Sequence, residues 1–182
     1  MSIDGKPVKP KKRHLYLHEN QFPDKLYLPI LAFGGEFLFS RGNFPEWAVF
    51  PFVYGLLFWF VLANIKGRGF WPCWIGLGTL MNFAVIVAND FRMPLWPSFF
   101  GSEGESGILE KIAEGDYFGY TLADSSTMLP FLGDVIGISC AGRFVSFASI
   151  GDILLLVGVF ILLTRLVNTS ENSTTGQTNK KA

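Results

Sequence analysis

Charge is scarce in this chain. Of its 182 residues, 16% are Asp, Glu, Lys or Arg, against about 25% in an average soluble domain. That shortage excludes a fold covered all round by solvated charge. Histidine and cysteine are scarcer still, at two each. Cys73 and Cys140 have no His cluster beside them, which leaves no metal ligand set of the zinc kind. The topology argued below puts them at opposite membrane faces, too far apart for a disulfide. His14 and His18 share a helical face near the N-terminus, and two ligands do not complete a metal site. No G-x-S-x-G, H-E-x-x-H, C-x-x-C or P-loop pattern occurs in the sequence. The commonest signatures of hydrolases, zinc proteases, dithiol enzymes and nucleotide-binding proteins are therefore missing. Basic residues are not interleaved with aromatics in the manner of nucleic-acid binders, so nucleic acid is not an expected partner. A formal net charge of +0 says nothing about other partners.

Hydrophobic residues are plentiful: 49% of the chain, with 19 Phe and 5 Trp, and a mean hydropathy of +0.34. They come in blocks, and blocks indicate a bilayer rather than a water-surrounded core. The organising stretch is Leu129–Leu163, LPFLGDVIGISCAGRFVSFASIGDILLLVGVFILL. It opens as a Gly- and Ser-interrupted segment carrying Asp134. It closes as an unbroken apolar run led by Asp152, so a carboxylate-bearing loop dips towards a spanning helix and then enters it.

The expected fold is an all-α membrane protein with about four transmembrane helices, at 26–40, 47–65, 71–88 and 150–167. Residues 1–25 form a basic cytoplasmic tail, 26–167 the transmembrane domain and 168–182 a disordered polar tail. The first apolar segment is short for a span, which needs about 20 residues, and Pro29, Gly34, Gly35 and Glu36 interrupt it. Either it spans irregularly, with Glu36 turned towards protein, or it lies at the interface. The second and third segments are long enough, with Pro51 and Pro72 near their first turns, where a missing N–H costs least. Gly76, Gly78 and Thr79 offer a small face for helix approach, and Asn82, inside the third span, must turn to another helix for its hydrogen bonds.

Residues 89–149 form the long connection, an extracytoplasmic loop in this topology. Such a length without structure is unusual, and Glu105–Gly115 reads as a short amphipathic helix, with Ser106 as N-cap and Gly115 as C-cap. Leu129–Ile138 is apolar enough to lie against the bundle. Ser149-Ile150-Gly151-Asp152 fits a capping box ahead of the last span, with Ser149 and Asp152 as the cap. Orientation follows from the 15 Lys and Arg. Placing the N-terminus inside leaves Arg41, Arg92, Lys111 and Arg143 outside and the other eleven inside, as the positive-inside rule requires. Both termini are then cytoplasmic in a bacterial inner membrane.

One polar constellation can carry chemistry: Asn82, Asn89, Asp90, Arg92, Asp134, Arg143 and Asp152. In this topology they gather at the outer face, where paired carboxylates bind a cation or relay protons, with Arg92 or Arg143 as counter-charge. Each also has a plainer role. Asp152 caps a helix, Asp134 follows Gly133 in a turn, Asn89-Asp90 closes a helix beside Arg92, and Asn82 bonds between helices.

The segments MNFAVIVANDFRMP (81–94), LPFLGDVI (129–136) and SIGDILLLVGVFILL (149–163) resemble an uncharacterised family of small bacterial multi-spanning membrane proteins, a domain of unknown function. The resemblance runs over roughly residues 26–166. The family pattern carries two glycines after the asparagine matching Asn89, where this chain has Asp90-Phe91. The resemblance implies fold and membrane location and supplies no catalytic residue and no cofactor. The expected function is a non-catalytic accessory subunit of a larger bacterial membrane complex, set in the lipid bilayer, with surfaces that suit packing against other membrane subunits or against lipid, pigment or quinone, while the sequence names no cofactor. The alternative is a small transporter or membrane enzyme using the outer Asp/Asn cluster.

Overall fold

The computed structural model describes residues 22–42, 44–66, 68–96, 106–140 and 143–178, with the side chains of 106, 139, 140, 143–145 and 169–178 excepted. The basic tail before Phe22, with His14 and His18, lies outside the described residues. The element order is α1 (Tyr27–Phe39), α2 (Glu46–Asn64), α3 (Trp71–Ala88), β1 (Met93–Leu95), α4 (Ser106–Ala113), β2 (Tyr120–Leu122), a 3-10 turn (Pro130–Leu132), β3 (Ile136–Cys140), β4 (Arg143–Ala148) and α5 (Ile150–Thr178). The chain is mostly helical. Three helices are long and apolar enough to cross a membrane: Glu46–Asn64, Trp71–Ala88 and Ile150–Asn168. The 13 residues of α1 make about 20 Å of helix, short of the roughly 30 Å hydrocarbon thickness.

One feature departs from the all-α expectation. The long connection holds two small sheets: β1 pairs in parallel with β2, and β3 pairs antiparallel with β4. Asp134 joins β1 from its other side through a bridge to Leu95, its N–H donating to the Pro94 carbonyl at 2.9 Å. Strands form here because buried connecting backbone must find partners, and Met93, Pro94 and Leu95 are all buried. The α5 backbone is helical to Thr178.

The helices alternate in direction. At one end the start of α1 meets the end of α2, and the start of α3 meets the end of α5. Leu28, Phe60, Trp71, Ile75 and Leu162 pack there as one core cluster. At the other end Phe50, Val85, Ile86, Met93 and Leu132 tie α2 and α3 to the loop. Between α3 and α5 the backbones come very close. A Cβ at Gly158 would fall 2.9 Å from the Ile75 nitrogen and 3.0 Å from the Trp71 oxygen, and one at Gly78 would strike the Gly151 carbonyl. Gly76 instead faces α2, where a Cβ would sit 3.0 Å from Val61. Thr79, fully buried, donates to the Ile75 carbonyl at 2.7 Å.

Local signals in the loop have local explanations. Gly115 closes α4 with φ +80°, donating to Ile112 O at 3.1 Å while Asp116 N–H reaches Lys111 O at 2.8 Å, the bond pattern of a left-handed glycine cap. Ile112 is the side chain α4 buries. After α3 the chain turns through Asp90 and Phe91, at φ +54° and +60°. Arg92 N–H closes that turn on Asn89 O at 3.0 Å. Two left-handed residues in succession favour glycine, so non-glycine residues hold this turn at some backbone strain.

Candidate functional site

Asn82 stands seven positions before the α3 cap residue Asn89, about 10 Å inside the helix end. The start of α5 comes down to meet it. Asn82 Nδ2 donates to Asp152 Oδ1 at 2.7 Å, and Ser149 Oγ donates to Asn82 Oδ1 at 2.8 Å. Ser149 and Asp152 exchange the bonds of a capping box. Ser149 N–H donates to Asp152 Oδ2 at 2.9 Å, and Asp152 N–H donates to Ser149 Oγ at 3.0 Å. Gly151 makes this possible, because a Cβ there would run into Asn82 Oδ1. The capping segment thus enters between the helices with its polar groups satisfied by protein groups, as buried polar groups must be.

Beside this network lies a chamber of about 200 Å³. α1 supplies Phe33 and Glu36, α2 Phe50, Val53, Tyr54 and Leu57, α3 Asn82 and Ile86, and α5 Asp152 and Leu155. The loop closes it with Met93, Phe118, Gly119, Tyr120, Asp134 and Phe147. Phe50 and Phe118 stack at 5.8 Å between centroids, and a Cβ on Gly119 (φ +79°) would sit 2.8 Å from the Phe50 ring. Aromatic surface therefore seals the loop side of the chamber. A wider recess of about 510 Å³, lined by Phe33, Glu36, Phe37, Ser40, Asp116, Tyr117 and Phe118, shares Phe33, Glu36 and Phe118 with it. Glu36 stands where the two meet.

Asp134 is the unusual member. It is 3% exposed, and its Oδ1 has no hydrogen-bond partner among the described residues. Burial first, and then the charge of Asp152, push its carboxyl up to about 7. The same burial, followed by the charge of Asp134, raises the Tyr120 phenol well above its ordinary value. A buried polar group left unpartnered is costly, and such exceptions concentrate at functional sites. Among the described residues the lining comprises three carboxylates, two phenols and one amide, with no Lys, Arg, His, Cys or Ser. Among the described residues no three His, Cys, Asp or Glu side chains are grouped so as to hold a metal ion.

The expected constellation therefore divides. Asn82, Asp134 and Asp152 come together, and Ser149 holds them in place. Asn89 and Asp90 do not reach the chamber. Asn89 pins the loop instead, donating to the Val85 and Met128 carbonyls at 2.7 and 2.8 Å and accepting from Met128 N–H at 2.9 Å. Asp90 and Arg92 line a separate polar pocket, and Arg92 pairs with Glu46 at 3.3 Å rather than with the aspartates. The side chain of Arg143 lies outside the described residues. Sequence reasoning noticed Glu36 but did not join it to the cluster, and it missed Tyr54 and Tyr120. A carboxylate within an apolar run was a usable signal for Glu36. The tyrosines had none.

Fold and site together define a small helical protein with membrane-length helices and a loop folded over a carboxylate-lined chamber. The chain belongs to the family described as Family of unknown function (DUF5317), whose match covers residues 26–164. No curated protein and no solved structure matches it.

Proposed function

We propose that this is a non-catalytic, multi-pass membrane protein that takes a small solute into the chamber, as a carrier or a solute-binding component. The observation that carries this is Asp134, whose buried carboxylate oxygen on the chamber wall has no hydrogen-bond partner among the described residues. The size of the chamber suits a small solute, since drug-sized ligands occupy about 300–1,000 Å³. Among the described residues the wall holds acids, phenols and one amide, groups that can meet a solute by charge and hydrogen bonding.

In this reading the protein sits in the bacterial inner membrane with four spans, α1 completing the bundle, and both termini in the cytoplasm. Support comes from Lys25, Lys66, Arg68 and Arg165, which flank the helix ends opposite the loop. Cysteine labelling in a background lacking Cys73 and Cys140 tests it. Lys66→Cys should react from the cytoplasmic side and Ser126→Cys from the other, and labelling of both from one side would sink the topology.

Solute binding is tested on the full chain in lipid nanodiscs by thermal shift, against a broad panel of small amines, acids, sugars and alcohols. Leu155→Trp fills the chamber and serves as the comparison. At least one class should protect the wild type and not the filled variant. Protection by none, or protection that survives filling, would overturn the reading.

A second reading is the accessory subunit of a larger membrane complex, with lipid, a pigment or a quinone at the contact. What favours it is α1, too short to cross alone, which turns Ile30, Phe33, Phe37 and Leu38 outward at 56–69% exposure. Stoichiometric co-purification with a large complex in mild detergent would support it, and a stable lone chain would count against it.

A further inference from the structure

The chamber carries more information than the presence of a site, because its walls are sorted by charge. Three carboxylates from three separate places border it: Glu36 from α1, Asp152 from α5 and Asp134 from the loop. Among the described residues the charge is not balanced from within, since no cationic side chain of theirs belongs to the lining. Two arginines among the described residues are engaged elsewhere. Arg92 pairs with Glu46, and Arg41 lies 3.8 Å over the Phe37 ring. The recess that meets the chamber at Glu36 adds Asp116. A path of acidic side chains thus leads from the recess to the unpartnered Asp134 oxygen.

The remaining wall is aromatic, formed by Phe33, Phe50, Tyr54, Phe118, Tyr120 and Phe147. Ring faces attract cations, and best those that are poorly hydrated. A metal ion is a poor match for this wall. It needs several oxygens converging within about 2.5 Å, and among the described residues the carboxylates do not form such a group. A bulky ammonium has a diffuse charge and a hydrocarbon surface, and it needs the combination present here.

Resting on the solute-chamber reading above, we infer that the solute is a small monovalent organic cation of the ammonium class. Asp134, Asp152 and Glu36 meet its charge, the ring faces meet its hydrocarbon, and its arrival displaces a proton from the chamber to water. The displaced proton comes from Asp134. Burial and the neighbouring Asp152 hold that carboxyl at about 7, so near neutrality it is partly protonated and an incoming cation favours its ionised form. The titratable groups lining the chamber around it, among the described residues, are Asp152 on α5, Glu36 on α1, Tyr54 on α2 and Tyr120 on β2. None of them brings a positive charge that would ionise Asp134 without a ligand.

The test is calorimetric titration of the full chain in nanodiscs with choline, with its neutral carbon isostere 3,3-dimethylbutan-1-ol, and with sodium. Choline should bind at pH 8, with the isostere about thirtyfold or more weaker, since losing one partner of a buried charge pair costs about 2 kcal/mol or more. Choline affinity should fall about tenfold per unit as pH drops below 7, with proton release that varies as expected between buffers of different ionisation heat. Asp134→Asn should weaken choline about thirtyfold and abolish the pH dependence, and Glu36→Gln offers a second variant if that one folds poorly. An isostere as tight as choline would sink the cation inference and leave the chamber reading standing. Sodium binding that choline cannot displace would point to an inorganic cation and would overturn the ammonium class. Heat from none of the three probes, together with no protection across the broad panel, would overturn both.

Discussion

Two buried polar clusters lie at opposite ends of this bundle, and they are solved differently. At the end away from the loop, Asn64 is 0% exposed and every part of its amide is used. Its Nδ2 donates to Asp24 O at 2.9 Å and to Phe60 O at 2.8 Å, and its Oδ1 accepts Asp24 N–H at 2.7 Å. Arg68, also buried, pairs with Asp24 at 2.8 Å and donates to the Phe22 carbonyl, while Arg165 donates to Arg68 O at 2.6 Å. Satisfied groups of this kind position chain segments and have no remaining valence for a ligand. At the loop end, Asn82, Ser149 and Asp152 are equally well satisfied, and Asp134 beside them is not. The same residue types are therefore structural in one place and available in the other. What separates them is whether the protein itself supplies the last hydrogen bond.

The comparison breaks most completely at Gly151. Gly151→Val would drive a side chain into Asn82 Oδ1, with the Gly78 carbonyl 2.9 Å from its Cβ. Two helix backbones cannot yield as a flexible side chain can. A loss of at least about 3 kcal/mol is expected, visible as a collapsed thermal transition, and a wild-type melting curve would show that α3 and α5 do not meet as described.

The next effect is one of pH. The Asp134 carboxyl is raised from 3.8 to about 7. A raised carboxyl stabilises the folded chain fully below its unfolded value and loses that contribution as pH rises through the folded value. Stability should therefore fall between about pH 4 and pH 8 by up to roughly 4 kcal/mol from this group. Denaturation of Asp134→Asn in the same range should lack this slope. A variant that keeps the wild-type slope would assign it elsewhere.

Asn64→Ala sharpens the contrast from the other side. It strands the backbone of Asp24 and should destabilise by about 2 kcal/mol. The loss should be the same at pH 5 and pH 8, and choline binding by the folded fraction should be unchanged. A pH-dependent loss would mean that the two ends are coupled.

The smallest effect belongs to the turn that follows α3. Asp90→Gly should stabilise by about 0.5–1 kcal/mol, because glycine removes the left-handed penalty at φ +54°. Destabilisation would show that the Asp90 side chain contributes more than its backbone strain costs.

Much of the molecule was legible in the sequence. The membrane-length helices were, because about 20 consecutive apolar residues record the bilayer thickness directly. The Ser149–Asp152 cap was too, because its partners are three residues apart and local geometry decides them. So was the need of Asn82 for a partner on another helix, though not which partner. The β1–β2 pair was not legible. Its strands are three residues each, and their pairing across the intervening α4 depends on tertiary placement rather than on pattern.

What the sequence determined by itself is that apolar helices carry a few polar residues that cannot face lipid. What only the tertiary structure decided is which of those residues meet one another. Glu36, Asp134 and Asp152 come from one helix, one loop and another helix, and no spacing rule connects them. Their convergence arises from the close α3–α5 contact at glycine, from the loop folding back along β1, and from α1 packing on α2. The free oxygen of Asp134 belongs wholly to that level, because whether a polar atom is satisfied depends on every neighbour that packing brings to it.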